Sequence, residues 1–74
     1  MNSIEIFKTN VKSKRIAHYL IHELNEVFPD HKVSIDLDDS DKVLRVENRK
    51  GNIESTEIIK LLNKRNLHCE VLNS

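Results

Sequence analysis

An α+β sandwich, with two helices covering one face of a four-stranded antiparallel sheet, follows from three observations on this 74-residue chain. The hydrophobic period switches between two and about 3.6 residues along the sequence. Each segment of short period has a single apolar face, and each segment of long period has a single apolar stripe. The segments follow one another as strand, helix, strand, strand, helix, strand.

Ile4 and Ile6 alternate with Glu5 and lead into Phe7, which predicts a half-buried first strand over roughly residues 3 to 8. From about Ser13 the period lengthens. Ile16, Leu20, Leu24 and Val27 fall on one arc at about 100° per residue, widened by Ala17, Ile21 and Phe28. Lys14, Arg15, His18, His22, Asn25 and Glu26 take the opposite side of this helix. Asn10 or Ser13 caps its start and Pro29 marks its end.

Val33, Ile35 and Leu37 alternate with Ser34 and Asp36, and the polar run Asp38-Asp39-Ser40-Asp41 supplies turn chemistry. Leu44 and Val46 then resume a strand with Arg45 and Glu47 outward, so the pair forms a hairpin. Asn48 to Asn52 is polar and contains Gly51. Ile58, Leu61, Leu62 and Arg65 define the second helical stripe, with Ile53 placed to staple against Ile58. Asn66 can adopt the left-handed conformation that stops a helix, after which Leu67, Cys69 and Val71 alternate as a last strand.

Packing both helices on one side of the sheet buries every apolar face at once, giving a ferredoxin-like βαββαβ sandwich. The other sheet face is expected to carry Glu5, Phe7, Ser34, Asp36, Arg45, Glu47 and Glu70, polar enough to meet water unaided. At this length the chain is one domain, residues 1–74.

Twelve basic side chains balance twelve acidic ones, so no overall field draws in nucleic acid or an anionic membrane, and a charge-reading partner must use a local patch. The single cysteine, Cys69, excludes an internal disulfide and a four-cysteine zinc site within one chain. That fits a reducing, cytoplasmic setting. The run Ile4 to Phe7 is too short for the apolar core of a signal peptide, and no 18-residue apolar span occurs.

Two stretches carry a resemblance to a known family. VSIDLDDSDKVLRVE (Val33 to Glu47) resembles the central hairpin of heavy-metal-associated domains, and IIKLLNKRNLHCEVL (Ile58 to Leu72) resembles their closing helix and strand. The resemblance implies a single heavy-metal-associated-like domain over residues 1–74. It also implies a soft-metal site made by two cysteines in the turn before the first helix. Here Asn10 and Ser13, or Thr9 and Lys12 in a shifted register, stand in those places. Neither pair replaces two thiolates, which are soft and charged, whereas an amide or hydroxyl is hard and neutral. Lys8, Lys12, Lys14 and Arg15 would in addition repel a cation. The expectation is a degenerate member that has lost its metal site and binds another protein.

The residues expected to carry that contact are Thr9, Asn10, Lys12, Lys14 and Arg15, as hydrogen-bonding or anion-contacting groups at a helix start. The bland reading is a solvated loop. Against it stands an unconventional metal binder that uses His18 and His22, four residues apart on one helical face, or Cys69. Exposed histidine pairs are usually plain surface, and a cysteine between His68 and Glu70 that faces the helices is an inert small hydrophobe. A third reading is a ligand-sensing or oligomerising module, so the chain is expected as a monomer or weak homo-oligomer.

Asp36, Asp38, Ser40 and Glu47 match positions of a calcium loop, but Asp41 occupies the place that requires glycine and the flanks read as strands. RNA-recognition modules share the topology, yet their sheets stack bases on aromatics, and only Phe7 is available. No nucleophile stands in a recognisable catalytic frame, so no enzyme, no cofactor and no nucleic-acid or membrane partner is expected.

Overall fold

The structure, a computed structural model, describes residues 2–72. It contains β1 (Ser3–Thr9), α1 (Lys14–Val27), β2 (His31–Asp36), β3 (Val43–Asn48), α2 (Ser55–Lys64) and β4 (Cys69–Val71). The strands form one antiparallel sheet in the order β2-β3-β1-β4. The central strands are therefore β3 and β1. Helix α1 lies against β2, and α2 lies against β4.

Strand pairing fixes which side chains share a face. Phe7 pairs with Leu44 and Val71, Glu5 with Val46, and Thr9 with Cys69, while Val33 and Ile35 pair with Val46 and Leu44. This is the covered face. Phe7, Leu44, Val46 and Cys69 join Ala17, Leu20 and Leu24 of α1, Ile58 and Leu62 of α2, and Val11 of the connecting turn in one core. Val33, Ile35, Phe28, Ile53 and Leu67 pack around its rim.

Phe7 was expected on the open face and is instead fully buried. The alternation in β1 is real, but its phase is opposite to the one expected. Ile4 and Ile6 pair with Glu47 and Arg45 on the open face, and Ile4 is 48% exposed. A phenyl ring removes more apolar area from water than an isoleucine side chain, so the phase that places Phe7 on the covered face wins and leaves Ile4 and Ile6 on the open one. The stripe of α1 is likewise narrower than expected. Ile16 and Val27 are exposed and Ala17, Leu20 and Leu24 are buried.

Helix ends follow their local chemistry. Ser13, with extended backbone, accepts a hydrogen bond from the Ile16 N–H at 3.1 Å and caps α1. At the end of α2, Asn66 adopts φ 61°, and its N–H donates to the Asn63 carbonyl while the Leu67 N–H reaches back to Leu62. That is a Schellman closure, with Leu67 packed onto the core. The last strand begins at Cys69, so Leu67 belongs to this closure and not to the alternating strand expected there.

His31, at the start of β2, shares the covered face with Val33. Its ring tilts against Phe28 with centroids 5.1 Å apart, and among the described residues neither ring nitrogen has a hydrogen-bond partner.

Candidate functional site

The turn between β1 and α1 is built from opposite ingredients, buried groups that hold it and exposed cations that it displays. Thr9 closes β1 on the covered face and is 5% exposed. Its hydroxyl donates to the Lys42 carbonyl at 2.6 Å and accepts from the Val11 N–H at 3.3 Å. Its own N–H donates to the Asp41 carbonyl. Thr9 therefore ties the turn to the β2–β3 hairpin and offers no group to solvent. Asn10 is exposed, but its Oδ1 accepts the His68 N–H at 2.8 Å and so fastens the turn to the loop before β4. Of the five residues expected to meet a partner, these two position the turn.

Lys12, Lys14 and Arg15 are exposed. Lys14 and Arg15 occupy the first turn of α1, which holds no acidic residue. Free amides and the helix dipole make that end electropositive already, so two cations there oppose the local preference. Lys8 lies 3.7 Å from Asp41, which shares its charge with the hairpin turn.

One helical turn beyond Arg15, Tyr19 stands 66% exposed. With Ile16, Leu20 and Leu67 it lines an apolar groove of about 170 Å³. Arg65 and Glu23 bound the same groove. The Arg65 Nε donates to Glu23 Oε1 at 2.9 Å, a second nitrogen of the guanidinium donates to Oε2, and the guanidinium carbon sits 5.9 Å from the Tyr19 ring centre. This fork-to-fork bond and the Glu23 charge hold the Arg65 guanidinium above its ordinary pKa. The groove thus has a fixed charged rim and an apolar floor. Sequence reasoning missed it, although the signal was present: Ile16 is the first member of the apolar arc, and Tyr19 breaks the polar side between His18 and His22.

The candidate metal ligands do not converge. His18 and His22 are exposed on α1, where His22 Nε2 lies 3.2 Å from Glu26 Oε1. Cys69 is buried in the core beneath the helices. Burial pushes its thiol up to about 12, with a further push from the Glu70 charge. Among the described residues no three His, Cys, Asp or Glu side chains are placed to hold a metal ion.

Comparison with protein-family models, with curated proteins and with solved structures finds no match to this chain. Its chemistry must be read from the surface alone. A concavity of about 560 Å³ beside Ser3, Glu5, Asn52 and Glu54 is shallow and polar. Ser3 is the hydroxyl beside its carboxylates, and the set that lines it holds no histidine, lysine or cysteine. No helix among the described residues is long and apolar enough to cross a membrane.

Proposed function

We propose that this chain is a protein-interaction module whose contact surface is the basic β1–α1 turn together with the groove beside it. The partner is an acidic segment with one large apolar side chain. Lys12, Lys14 and Arg15 meet its carboxylates, and the groove between Tyr19, Ile16 and Leu67 takes the apolar side chain. The observation that carries this reading is the pair Lys14 and Arg15 in the first turn of a helix with no acid to balance them. Local rules broken without local compensation mark functional surfaces. At about 170 Å³ the groove is below the ~300 Å³ at which small-molecule pockets begin, which favours a side chain over a free ligand.

The same reading takes the fold as ferredoxin-like and of the heavy-metal-associated kind, with the thiolate site lost. The element order and a sheet with β1 and β3 at its centre support the architecture. The lineage rests on the resemblance of the hairpin and closing segments. A cytoplasmic setting accords with a lone thiol that has no partner in its own chain.

The test is a titration of isotopically labelled protein with a synthetic peptide of aspartates and glutamates around one leucine. Amide signals of residues 12–23 and 65–67 are expected to move, and the movement is expected to vanish in K12E/K14E/R15E. A peptide that moves none of these signals overturns the proposal. So does stoichiometric, tight binding of Cu(I) or Zn(II) that shifts Thr9 to Arg15 under reducing conditions.

A further inference from the structure

We infer that the free edge of β2 pairs with β2 of a second copy of this chain, antiparallel, about a two-fold axis through Ser34. The inference is independent of the reading of the β1–α1 turn. Both outer strands of the sheet have an open edge, but β4 runs for three residues and β2 for six. Among the described residues, β2 is the outer strand long enough to add a ladder.

Hydrogen-bond phase shows which groups that edge presents. Leu72 donates to the Ile6 carbonyl, so the even-numbered residues of β1 face β4 and the odd-numbered ones face β3. Phe7 and Leu44 are then a bonded pair, and Val43, Arg45 and Glu47 of β3 face β2. Their partners Asp36, Ser34 and Lys32 bond inward. That leaves the N–H and C=O groups of Val33 and Ile35 pointing off the edge. His31 agrees with this phase, since its N–H is taken by the Phe28 carbonyl off the ladder.

Rotation about Ser34 sets Val33 opposite Ile35 of the second copy, and each gives and receives a backbone hydrogen bond. Lys32 then falls opposite Asp36 of the second copy, once on each side of the axis. These are non-bonded pairs of the new ladder, where side chains approach most closely. Among the described residues Lys32 and Asp36 have no ion-pair partner. One oxygen of Asp36 accepts the Asp38 N–H, and the other remains for Lys32.

Charges on an edge strand usually guard it against strand addition. Here their spacing makes the edge self-complementary in one register. Moving the axis one residue earlier sets Asp30 opposite Asp36, a like-charge pair. Moving it one residue later carries the pairing past the end of β2 to Leu37 and Asp38. Alongside the same edge lies a groove of about 340 Å³ between α1 and β2, where Ile21, Ile35 and Leu37 are only half-buried. A second copy would cover that apolar rim.

The test combines sedimentation equilibrium from micromolar to millimolar protein with amide hydrogen exchange at both extremes. The chain is expected to pass from monomer to dimer, with exchange at Val33 and Ile35 slowing as the dimer forms. Because repulsion acts on both sides of the axis, K32E and D36K are each expected to weaken association at least about tenfold. The double variant K32E/D36K is expected to recover it. A chain that stays monomeric at millimolar concentration overturns the inference, as does a dimer whose Val33 and Ile35 amides exchange at the monomer's rate. Equal association by the single and double variants overturns it as well. The exchange measurement on the unaltered chain decides the matter even if a variant fails to fold.

Discussion

Thr9 shows how much one side chain decides at this end of the molecule. Its hydroxyl satisfies a part-buried carbonyl from one loop and a buried amide from another. Thr9→Val keeps the shape and leaves Lys42 C=O and Val11 N–H unpaired, which is expected to cost about 1–3 kcal/mol in urea unfolding. Thr9→Ser, which keeps the hydroxyl, is expected to lose clearly less; equal losses would show that the hydrogen bonds are not the cause. Thr9 was legible in the sequence as a turn residue but not as a buried one. Its burial follows from Phe7, two residues earlier on the same face. In β1 both phases of the alternation contain large apolar residues, Phe7 on one and Ile4 and Ile6 on the other. Period alone cannot say which phase is covered, and the error at Phe7 carried over to Thr9.

Cys69 makes a prediction with a sign. Its folded pKa is raised from the usual 9.0 to about 12, because the buried site penalises the thiolate. The folded state therefore holds its proton where the unfolded chain releases it. Stability from this group is complete below about pH 9 and is lost as pH rises toward 12. Unfolding free energies of the wild type and Cys69→Ala, measured from pH 8 to 11, are expected to run parallel below pH 9 and to lose that parallel course above it, with the wild type falling faster. Parallel curves would contradict the burial of a protonated thiol.

Among the elements, α1 carries the clearest conflict between folding and use. Ser13 caps it well, yet its first turn holds Lys14 and Arg15 where the dipole favours acids. The variant K14E/R15E is expected to raise the thermal midpoint, each reversal contributing about 0.3–1 kcal/mol, while weakening the acidic peptide. A drop in stability would mean that these cations hold the fold. Sequence located both helices because their apolar arcs are long and their stops are chemical, at Pro29 and Asn66. It did not locate the groove, which needs Tyr19 and Ile16 of α1 beside Leu67 of the α2–β4 loop. That neighbourhood depends on the Schellman closure and on helix placement, and neither is written in the period of one segment.

For the whole molecule, one core serves all six elements. A chain of 74 residues is expected to hold roughly 4–11 kcal/mol in total. Phe7 sits at the centre of the covered face, fully buried, between Leu44 and Val71. Phe7→Ala is expected to remove about 3–5 kcal/mol, enough to leave much of the population unfolded at 37 °C by circular dichroism. Ile4→Ala, on the open face of the same strand, is expected to change stability by less than ~1 kcal/mol. Comparable losses at the two positions would reverse the assignment of the faces. The apolar alternation made the sheet legible as a whole, while the choice of faces required the pairing.

The hairpin turn from Leu37 to Lys42 looks from outside like spare loop, short of apolar residues and rich in aspartate. It is not a place to splice in a tag or graft an epitope. Lys42 sits at φ 46° with its ammonium on the Leu37 carbonyl, and its own carbonyl and that of Asp41 are the two acceptors that clasp Thr9. A longer insert there would withdraw both and loosen the start of α1 from a distance. For anyone engineering this chain, the displayed basic surface and the acidic hairpin must be kept as a single cassette.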